Sequence, residues 1–218
     1  MEKTYNTQFN QPFNIVISGQ TESGKTEFCF KLIKNAHAMI SPPVDLIYYV
    51  YKEWQDSFKQ IQGVSFFKGY DDSIISKENL KNRSLLLILD DQMTEIPSDS
   101  LQNIFLVGRH DKINPVFLSH NLYYPGLKCM RTISLNTKYN VIFKNPHDKS
   151  SVRVLASQMY PGKLGWFMEA FDHATNGKWT YLLVDCKPDQ EEEIRLRTRI
   201  WPGEDQITYI ANVSNKKR

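Results

Sequence analysis

The sequence has few cysteines, no long apolar run and little net charge, and each shortage excludes a class of protein. Its three cysteines, Cys29, Cys129 and Cys186, lie far apart with no C-x-x-C spacing. They cannot all pair, so a reduced, intracellular setting is the simpler expectation and a zinc site is disfavoured. A polar N-terminus argues against a signal peptide, and no apolar run is long enough to span a bilayer. A net charge of +3 permits a polyanionic partner only if the basic residues cluster.

The remaining composition is that of an ordinary globular chain. Hydrophobic residues make up 41% and charged residues 23% of 218 positions, which is typical of soluble domains and enough to bury a sizeable core. This length fits one large α/β domain or two small ones. We predict a single domain over residues 1–218, with an N-terminal arm at 1–11 and a C-terminal tail at 203–218.

A glycine-rich segment carries the strongest chemical signal, because residues 19–26 match G-x-x-x-x-G-K-[ST] without a mismatch. An apolar, β-branched stretch at 13–18 predicts a strand before it, and apolar residues at helical spacing over 27–36 predict a helix after it. Glycines let backbone N–H groups surround an anion, and the helix N-terminus adds partial positive charge. We expect Lys25 to reach the β- and γ-phosphates and Thr26 to hold Mg²⁺. The predicted nucleotide-binding residues are Gly19, Gln20, Thr21, Glu22, Ser23, Gly24, Lys25, Thr26 and Glu27.

A second signal is the run of five aliphatic residues at 85–89, followed by Asp90 and Asp91. Such a run suits a central parallel strand that is covered on both faces. Ligands of these sheets bind at the carboxyl ends of the strands, where both carboxylates would lie. We predict that Asp90 holds Mg²⁺ and that Asp91 polarises the attacking water. A strand that simply ends in an Asx-turn is the alternative.

The spacing between the glycine loop and Asp90 leaves room for a whole strand and helix. We expect an inserted strand, residues 44–51, between the strands that carry these two motifs. That arrangement fits, by architectural analogy, the additional-strand type of phosphate-loop ATPase.

Two further polar positions are candidates for catalysis. His120 and Asn121 follow a short apolar strand at 115–118, where either can sense the γ-phosphate or simply close the strand as a turn residue. Arg109 follows a predicted helix at 98–107. It is either a solvated helix-end cation or an arginine finger offered to a neighbouring subunit's nucleotide.

These segments together resemble a known superfamily. The helix with its Gly108-Arg109-His110 end, the following strand and Ser119-His120-Asn121 are similar to the FtsK–HerA superfamily of DNA-pumping ATPases. The block from 131 to 161 resembles the poxvirus-type genome-packaging ATPases, most closely those of Polinton/Maverick elements, adintoviruses and virophages. The resemblance extends from 13 to about 202. The chain departs from it at His120 (usually glutamine), His147 (often arginine) and Asp91 (often glutamate).

The resemblance implies a fold and a function. The expected fold is a three-layer α/β P-loop NTPase, RecA/FtsK–HerA-like, with a mostly parallel central sheet flanked by helices. The implied function is an ATP-hydrolysing motor that uses Mg²⁺ and translocates double-stranded viral DNA into a preformed capsid. By position, Arg109 matches the superfamily's trans-acting arginine, with Arg131 as second candidate. A trans-acting arginine implies a homo-oligomeric ring, a pentamer or hexamer.

The implied partners are double-stranded DNA, bound without sequence preference, and a capsid or portal protein, with no membrane. The expected location is the host nucleus, a cytoplasmic virus factory or the virion. Two alternatives stay open: a small-molecule or nucleoside kinase, disfavoured by the lack of an arginine-rich lid segment, and a nucleotide-gated capsid assembly factor.

Basic residues that can contact DNA occur at several positions. Residues 194–200 alternate strictly, which predicts a strand with Arg195, Arg197 and Arg199 on one face. That face can touch DNA phosphates or a neighbouring subunit, or it can protect an edge strand by its charge. Lys144, Lys149 and the basic tail at 215–218 are further candidates.

Overall fold

The computed structural model describes residues 5–123 and 126–211. Its strands are β1 Phe9–Asn10, β2 Ile15–Ser18, β3 Ile40–Ser41, β4 Leu46–Tyr51, β5 Ser65–Lys68, β6 Leu85–Leu89, β7 Ile113–Ser119, β8 Tyr139–Phe143, β9 Tyr181–Asp185, β10 Leu196–Thr198 and β11 Ile207–Thr208. Its α-helices are α1 Lys25–Lys34, α2 Ala36–Met39, α3 Lys77–Leu80, α4 Ser98–Leu106, α5 Met130–Asn136, α6 Lys149–Met159 and α7 Leu164–Ala174. Short 3₁₀-helices occupy Asp56–Gln60, Asp72–Ile75, Gly108–Asp111 and Glu192–Ile194.

Nine of the described strands form one sheet in the order β11-β10-β9-β8-β2-β7-β6-β4-β5. The six strands from β8 to β5 run parallel to one another. β9 is antiparallel to β8, β10 to β9, and β11 to β10. The predicted mostly parallel sheet is therefore confirmed, and an antiparallel extension completes it on one side.

The additional strand exists, but it is not the one that the sequence predicted. β7 separates β2 from β6, whereas β4 lies on the far side of β6 and pairs with it. The prediction that residues 44–51 form the inserted strand was therefore wrong. The order of strands along the chain does not determine their order in the sheet. The burial of β7 and β4 nevertheless agrees with the sheet order that the structure shows. All seven residues of β7 are buried, whereas four of the six in β4 are only half-buried.

Helices cover both faces of the sheet, so the predicted three layers are confirmed. β2 alternates, with Ile15 and Ile17 packing on the side of α1 and Val16 on the opposite side. α1 contributes Phe28, Cys29 and Leu32 to the first side. The second side is covered by α4 and α5 and, further along the sheet, by α6 and α7. Within the described residues, none of the helices has the length and apolar content needed to span a bilayer.

Both predicted terminal segments contribute strands to the fold. Phe9 of β1 is buried and meets the ring of Tyr139 edge-on at 4.9 Å between centroids, and β1 pairs with β3 in a small parallel sheet. At the other end, β11 extends the main sheet. Residues 1–4 of the arm and the basic tail at 215–218 lie outside the described residues.

Candidate active site

The candidate site lies where three parallel strands end. The glycine loop follows β2, Asp90 and Asp91 follow β6, and His120 follows β7. Because these strands are parallel neighbours, their carboxyl ends meet at one edge of the sheet, the usual place for a ligand. A cavity of about 530 Å³ opens there. Its walls are Thr21, Glu22, Gly24, Lys25, Thr26, Glu27, Gln55, Asp90, Asp91, His120, Lys178 and Trp179.

The two motif glycines are required by close contacts. Gly24 precedes α1 with a φ of 109°, a conformation that side-chain-bearing residues rarely adopt. A Cβ on Gly24 would lie 2.8 Å from the Cβ of Trp179, and one on Gly19 would lie 2.7 Å from the Cβ of Phe143. Larger residues would therefore push the loop away from its supports.

Lys25 lies inside the loop. Its Nζ donates hydrogen bonds to the carbonyl oxygens of Gly19, at 2.7 Å, and Gln20, at 2.9 Å. Burial lowers the pKa of Lys25, and the negative charges of Asp91 and Asp90 oppose that effect. The ammonium group and the acidic pair therefore share one electrostatic environment, as the sequence motifs require.

Asp90 is a buried carboxylate that is held by a neighbouring strand. Its Oδ2 accepts a hydrogen bond of 2.6 Å from the hydroxyl of Tyr49 in β4. Burial raises the pKa of Asp90 to about 6, although the hydrogen bond from Tyr49 and the charge of Lys25 act in the opposite direction. Tyr49 was not predicted from the sequence, because only the pairing of β4 with β6 brings the two side chains together.

Asp91 and His120 lie at the open side of the cavity. Asp91 has a φ of 53° and a side chain that is 52% exposed. Its Oδ1 lies 3.5 Å from the Nε2 of His120. An exposed carboxylate beside an imidazole can accept a proton from a water molecule in the cavity and be oriented while it does so.

The other predicted catalytic residues lie elsewhere. Asn121 is not one of the described residues that line the cavity, and its carbonyl oxygen accepts a 2.6 Å hydrogen bond from the hydroxyl of Ser119. Arg109 is exposed in the 3₁₀-helix that precedes β7, so it lies at the opposite edge of the sheet. Arg131 is exposed on α5. Neither arginine reaches the cavity of its own chain.

The predicted exposed arginine face was wrong. Arg195 donates to the carbonyl oxygens of Asp185, Lys187 and Gln190. Arg197 is 1% exposed and lies 3.6 Å from Asp185, whereas Arg199 is exposed with a φ of 54°. Only Leu196–Thr198 form a strand, so Arg195 and Arg199 lie outside it, and Arg197 packs against the folded chain instead of facing solvent.

The two lysines proposed as DNA contacts are exposed. Lys144 follows β8, at the same edge of the sheet as the glycine loop. Lys149 begins α6, and its Nζ lies 3.8 Å from Asp172.

Comparison with known proteins gives a family and a fold. A family model described as "Poxvirus A32 protein" matches residues 2–158. Two solved structures of the genome packaging NTPase B204 from Sulfolobus turreted icosahedral virus 2 are similar. The complex with ATP-gammaS has a TM-score of 0.53 and 14% identity, covering 79% of this chain and 92% of B204. The complex with AMPPCP has a TM-score of 0.52 and 15% identity, and the match covers 83% of this chain and 94% of B204. No curated protein sequence matches.

Proposed function

This chain belongs to the Poxvirus A32 protein family, and we propose from that membership that it is an ATP-hydrolysing motor that moves double-stranded viral DNA into a preformed capsid. The observation that carries the proposal is that the glycine loop after β2 and the acidic pair after β6 line one cavity. The similar packaging NTPase B204 was solved with ATP-gammaS. The proposed site of action is the host nucleus or a cytoplasmic virus factory, or the virion itself.

The loop and Lys25 would bind and orient the triphosphate. Backbone N–H groups at the start of α1 favour an anion. Lys25 has two carbonyl partners in the loop, and we propose that its ammonium group turns from them to the β- and γ-phosphates. This exchange places positive charge where negative charge develops during phosphoryl transfer.

The residues present fit a bound Mg²⁺. Thr26 and Asp90 face one cavity and offer a hydroxyl and a carboxylate, the oxygen donors that Mg²⁺ prefers, with phosphate and water oxygens completing its shell. Asp90 is buried and its pKa is raised to about 6 by that burial, so a cation beside it would stabilise its charged form. When bound, the ion would offset the negative charge of the phosphates.

Asp91 is proposed to accept the proton of the attacking water. It lies beside Asp90 in the chain and lines the same cavity, but it is far more exposed than Asp90, so it is the better placed of the two to contact the attacking water. His120, at 3.5 Å, is proposed to orient Asp91 and to sense the γ-phosphate. Asn121 is kept as a second candidate for that sensing role.

A neighbouring subunit is proposed to complete the site. Arg109 is exposed at the edge of the sheet opposite its own nucleotide cavity. In a head-to-tail ring, a pentamer or hexamer, that edge of one subunit can face the nucleotide of the next. Arg131 is the alternative trans arginine. DNA phosphates would be contacted without sequence preference, with Lys144 and Lys149 as candidates, and a capsid or portal protein would anchor the ring.

The decisive experiment measures the ATPase rate with and without duplex DNA, together with the oligomer mass. We expect the rate to rise with duplex in a ring-sized assembly and to be abolished in Lys25→Ala. A protein that phosphorylates a nucleoside and ignores DNA would be a kinase instead. Genome filling that survives Lys25→Ala would indicate a nucleotide-gated assembly factor.

The trans role of Arg109 is tested by mixing subunits. Lys25→Ala and Arg109→Ala should each be inactive alone. In a mixed ring, a Lys25→Ala subunit can still offer its Arg109 to the intact loop of an Arg109→Ala neighbour, so mixing the two variants should restore ATPase activity. Mixing Lys25→Ala with Arg131→Ala applies the same test to the alternative arginine. No recovery with Arg109→Ala would remove this residue from the proposed role.

A further inference from the structure

A second cavity adjoins the phosphate cavity and has no role in the function proposed above. Its volume is about 410 Å³, within the roughly 300–1,000 Å³ of small-molecule sites. The two cavities share Gly24, Glu27, Lys178 and Trp179. A ligand bound through its phosphates at the glycine loop can therefore extend directly into the second cavity.

Topology explains why distant parts of the chain meet here. β9 runs antiparallel to β8, so it begins at the edge where the parallel strands end. β10 reverses again and ends at that same edge. The segments just before β9 and just after β10 therefore lie beside the glycine loop. They bring Trp179 from one side and Arg199, Trp201, Glu204 and Asp205 from the other.

Trp179 is fixed in position between the cavities. Its φ is 60°, an unusual conformation for so large a residue. The Thr180 hydroxyl holds the turn by accepting a hydrogen bond from the N–H of Gly177 and donating one to its carbonyl, both at 2.9 Å. The Cβ of Trp179 lies against Gly24, where any larger residue would collide. The side chain is nevertheless 49% exposed, which leaves aromatic surface available to a ligand.

The charges around this cavity balance, because Lys31, Lys178 and Arg199 line it together with three carboxylates. Lys178 Nζ lies 4.4 Å from the centre of the Trp179 ring, and Lys31 Nζ lies 3.5 Å from Glu204. Glu27, Glu204 and Asp205 all line the cavity. With as many anions as cations, this lining is not a basic groove for a polyanion, and its carboxylates can accept hydrogen bonds from ribose hydroxyls or an exocyclic amine.

We propose that this second cavity holds the base and ribose of the bound nucleoside triphosphate, with the base stacked on Trp179. The inference rests on the proposed function, because it assumes that the phosphates lie at the glycine loop. Stacking on an aromatic ring is available to every base. Trp179 is therefore expected to add affinity for nucleotides in general and to discriminate weakly among bases.

The test separates the base from the phosphates. Binding of ATP-gammaS and of inorganic tripolyphosphate, each with Mg²⁺, is measured by calorimetry for wild type, Trp179→Ala and Trp179→Phe. Trp179→Ala should bind ATP-gammaS about 10-fold more weakly and tripolyphosphate as wild type does, and Trp179→Phe should keep most of the affinity. Lys25→Ala should weaken both ligands. Trp54→Ala is the matched control, since Trp54 is 48% exposed and lines neither cavity.

A fluorescence measurement covers the case in which Trp179→Ala folds poorly. ATP-gammaS should quench tryptophan emission in wild type and Trp54→Phe but much less in Trp179→Phe. Unchanged ATP-gammaS affinity in Trp179→Ala, an equal loss of both ligands, or full quenching in Trp179→Phe would each overturn the assignment while the proposed ATPase stands. Wild type that binds neither ligand would instead refute the proposed function, and this inference with it.

Discussion

Two buried strands of the sheet lead to an aspartate: Asp90 directly follows β6, and Asp185 is the last residue of β9. The two carboxylates have different surroundings. Asp90 follows β6, which is parallel to β2, so it lies at the edge with the glycine loop. Asp185 is the last residue of β9, which is antiparallel to β8. It is paired with Tyr139, the first residue of β8, and therefore lies at the opposite edge of the sheet. Both side chains are buried. Similar local sequences thus deliver a carboxylate to opposite edges because the strands run in opposite directions.

The two aspartates also differ in how many neighbouring groups stabilise their buried negative charge. Burial raises the pKa of both carboxylates. Asp185 has two cationic neighbours, Lys187 at 3.5 Å and Arg197 at 3.6 Å. Asp90 accepts a hydrogen bond from Tyr49, while the ammonium of Lys25 bonds to loop carbonyls. A carboxylate compensated by its own chain is structural, whereas one with less compensation can bind a cation from outside.

The largest expected difference between the two edges of the sheet is in ATPase turnover. Asp91→Asn removes the proposed proton acceptor at the cavity edge, and we expect kcat to fall by about 10²–10⁴-fold while ATP binding is retained. Asp185→Asn removes a carboxylate from the opposite edge and should leave kcat per folded molecule nearly unchanged. Steady-state ATPase and nucleotide-binding assays measure both. Comparable losses of kcat in the two variants would contradict the division of roles.

The free energy of unfolding should fall more in Asp185→Asn than in Asp91→Asn, the reverse of the order expected for turnover. Asp185→Asn leaves the buried guanidinium of Arg197 without its carboxylate, and breaking a buried pair in this way costs about 3–5 kcal/mol. Asp91→Asn, at an exposed position, should change the free energy of unfolding by less than about 0.5 kcal/mol. Urea denaturation of both variants gives the comparison. A loss below about 1 kcal/mol at Asp185 would mean that the pair contributes little.

The pH dependence of stability tests whether burial raises the pKa of Asp90. Its pKa is raised from 3.8 to about 6 in the fold, so the folded state binds a proton more tightly than the unfolded state. The associated stability is present below pH 3.8 and is lost as the pH rises through about 6.

Asp90→Asn cannot ionise and should escape that loss. Without nucleotide or Mg²⁺, its advantage over wild type should grow between pH 4 and pH 7 by about 2 kcal/mol. Urea denaturation at several pH values, with a chelator present, measures the difference. A pH-independent difference would show that Asp90 ionises freely in the fold.

Prediction from sequence succeeded where the signal is contiguous. The glycine loop, its flanking strand and helix, and the aliphatic run before Asp90 are each encoded in a few adjacent residues. Prediction failed where the answer depends on which strands are neighbours. Residues 44–51 and 115–118 are both predicted as strands, and only their pairing shows that the second one separates β2 from β6.

The arginine pattern at 195–199 shows a related limit. Alternation predicts a strand over 194–200, but only Leu196–Thr198 form one. The pattern also does not say whether a side chain meets solvent or protein. Arg197 is buried because the side of β10 that carries it faces Tyr139 and Asp185. Tyr49 and Trp179 were missed for the same reason, since nothing near them in the chain marks the cavity they reach.

The sequence by itself determined the glycine loop with its flanking strand and helix, because a backbone loop of this kind is a local structure with fixed residue spacing. It also determined that a buried strand delivers Asp90 and Asp91 to the end of a sheet. Only the tertiary structure decided which aspartates meet the loop, which strand separates them from it, and which aromatic ring stands beside it. Strand order and direction arise from long-range packing, and no short segment of the chain contains that information.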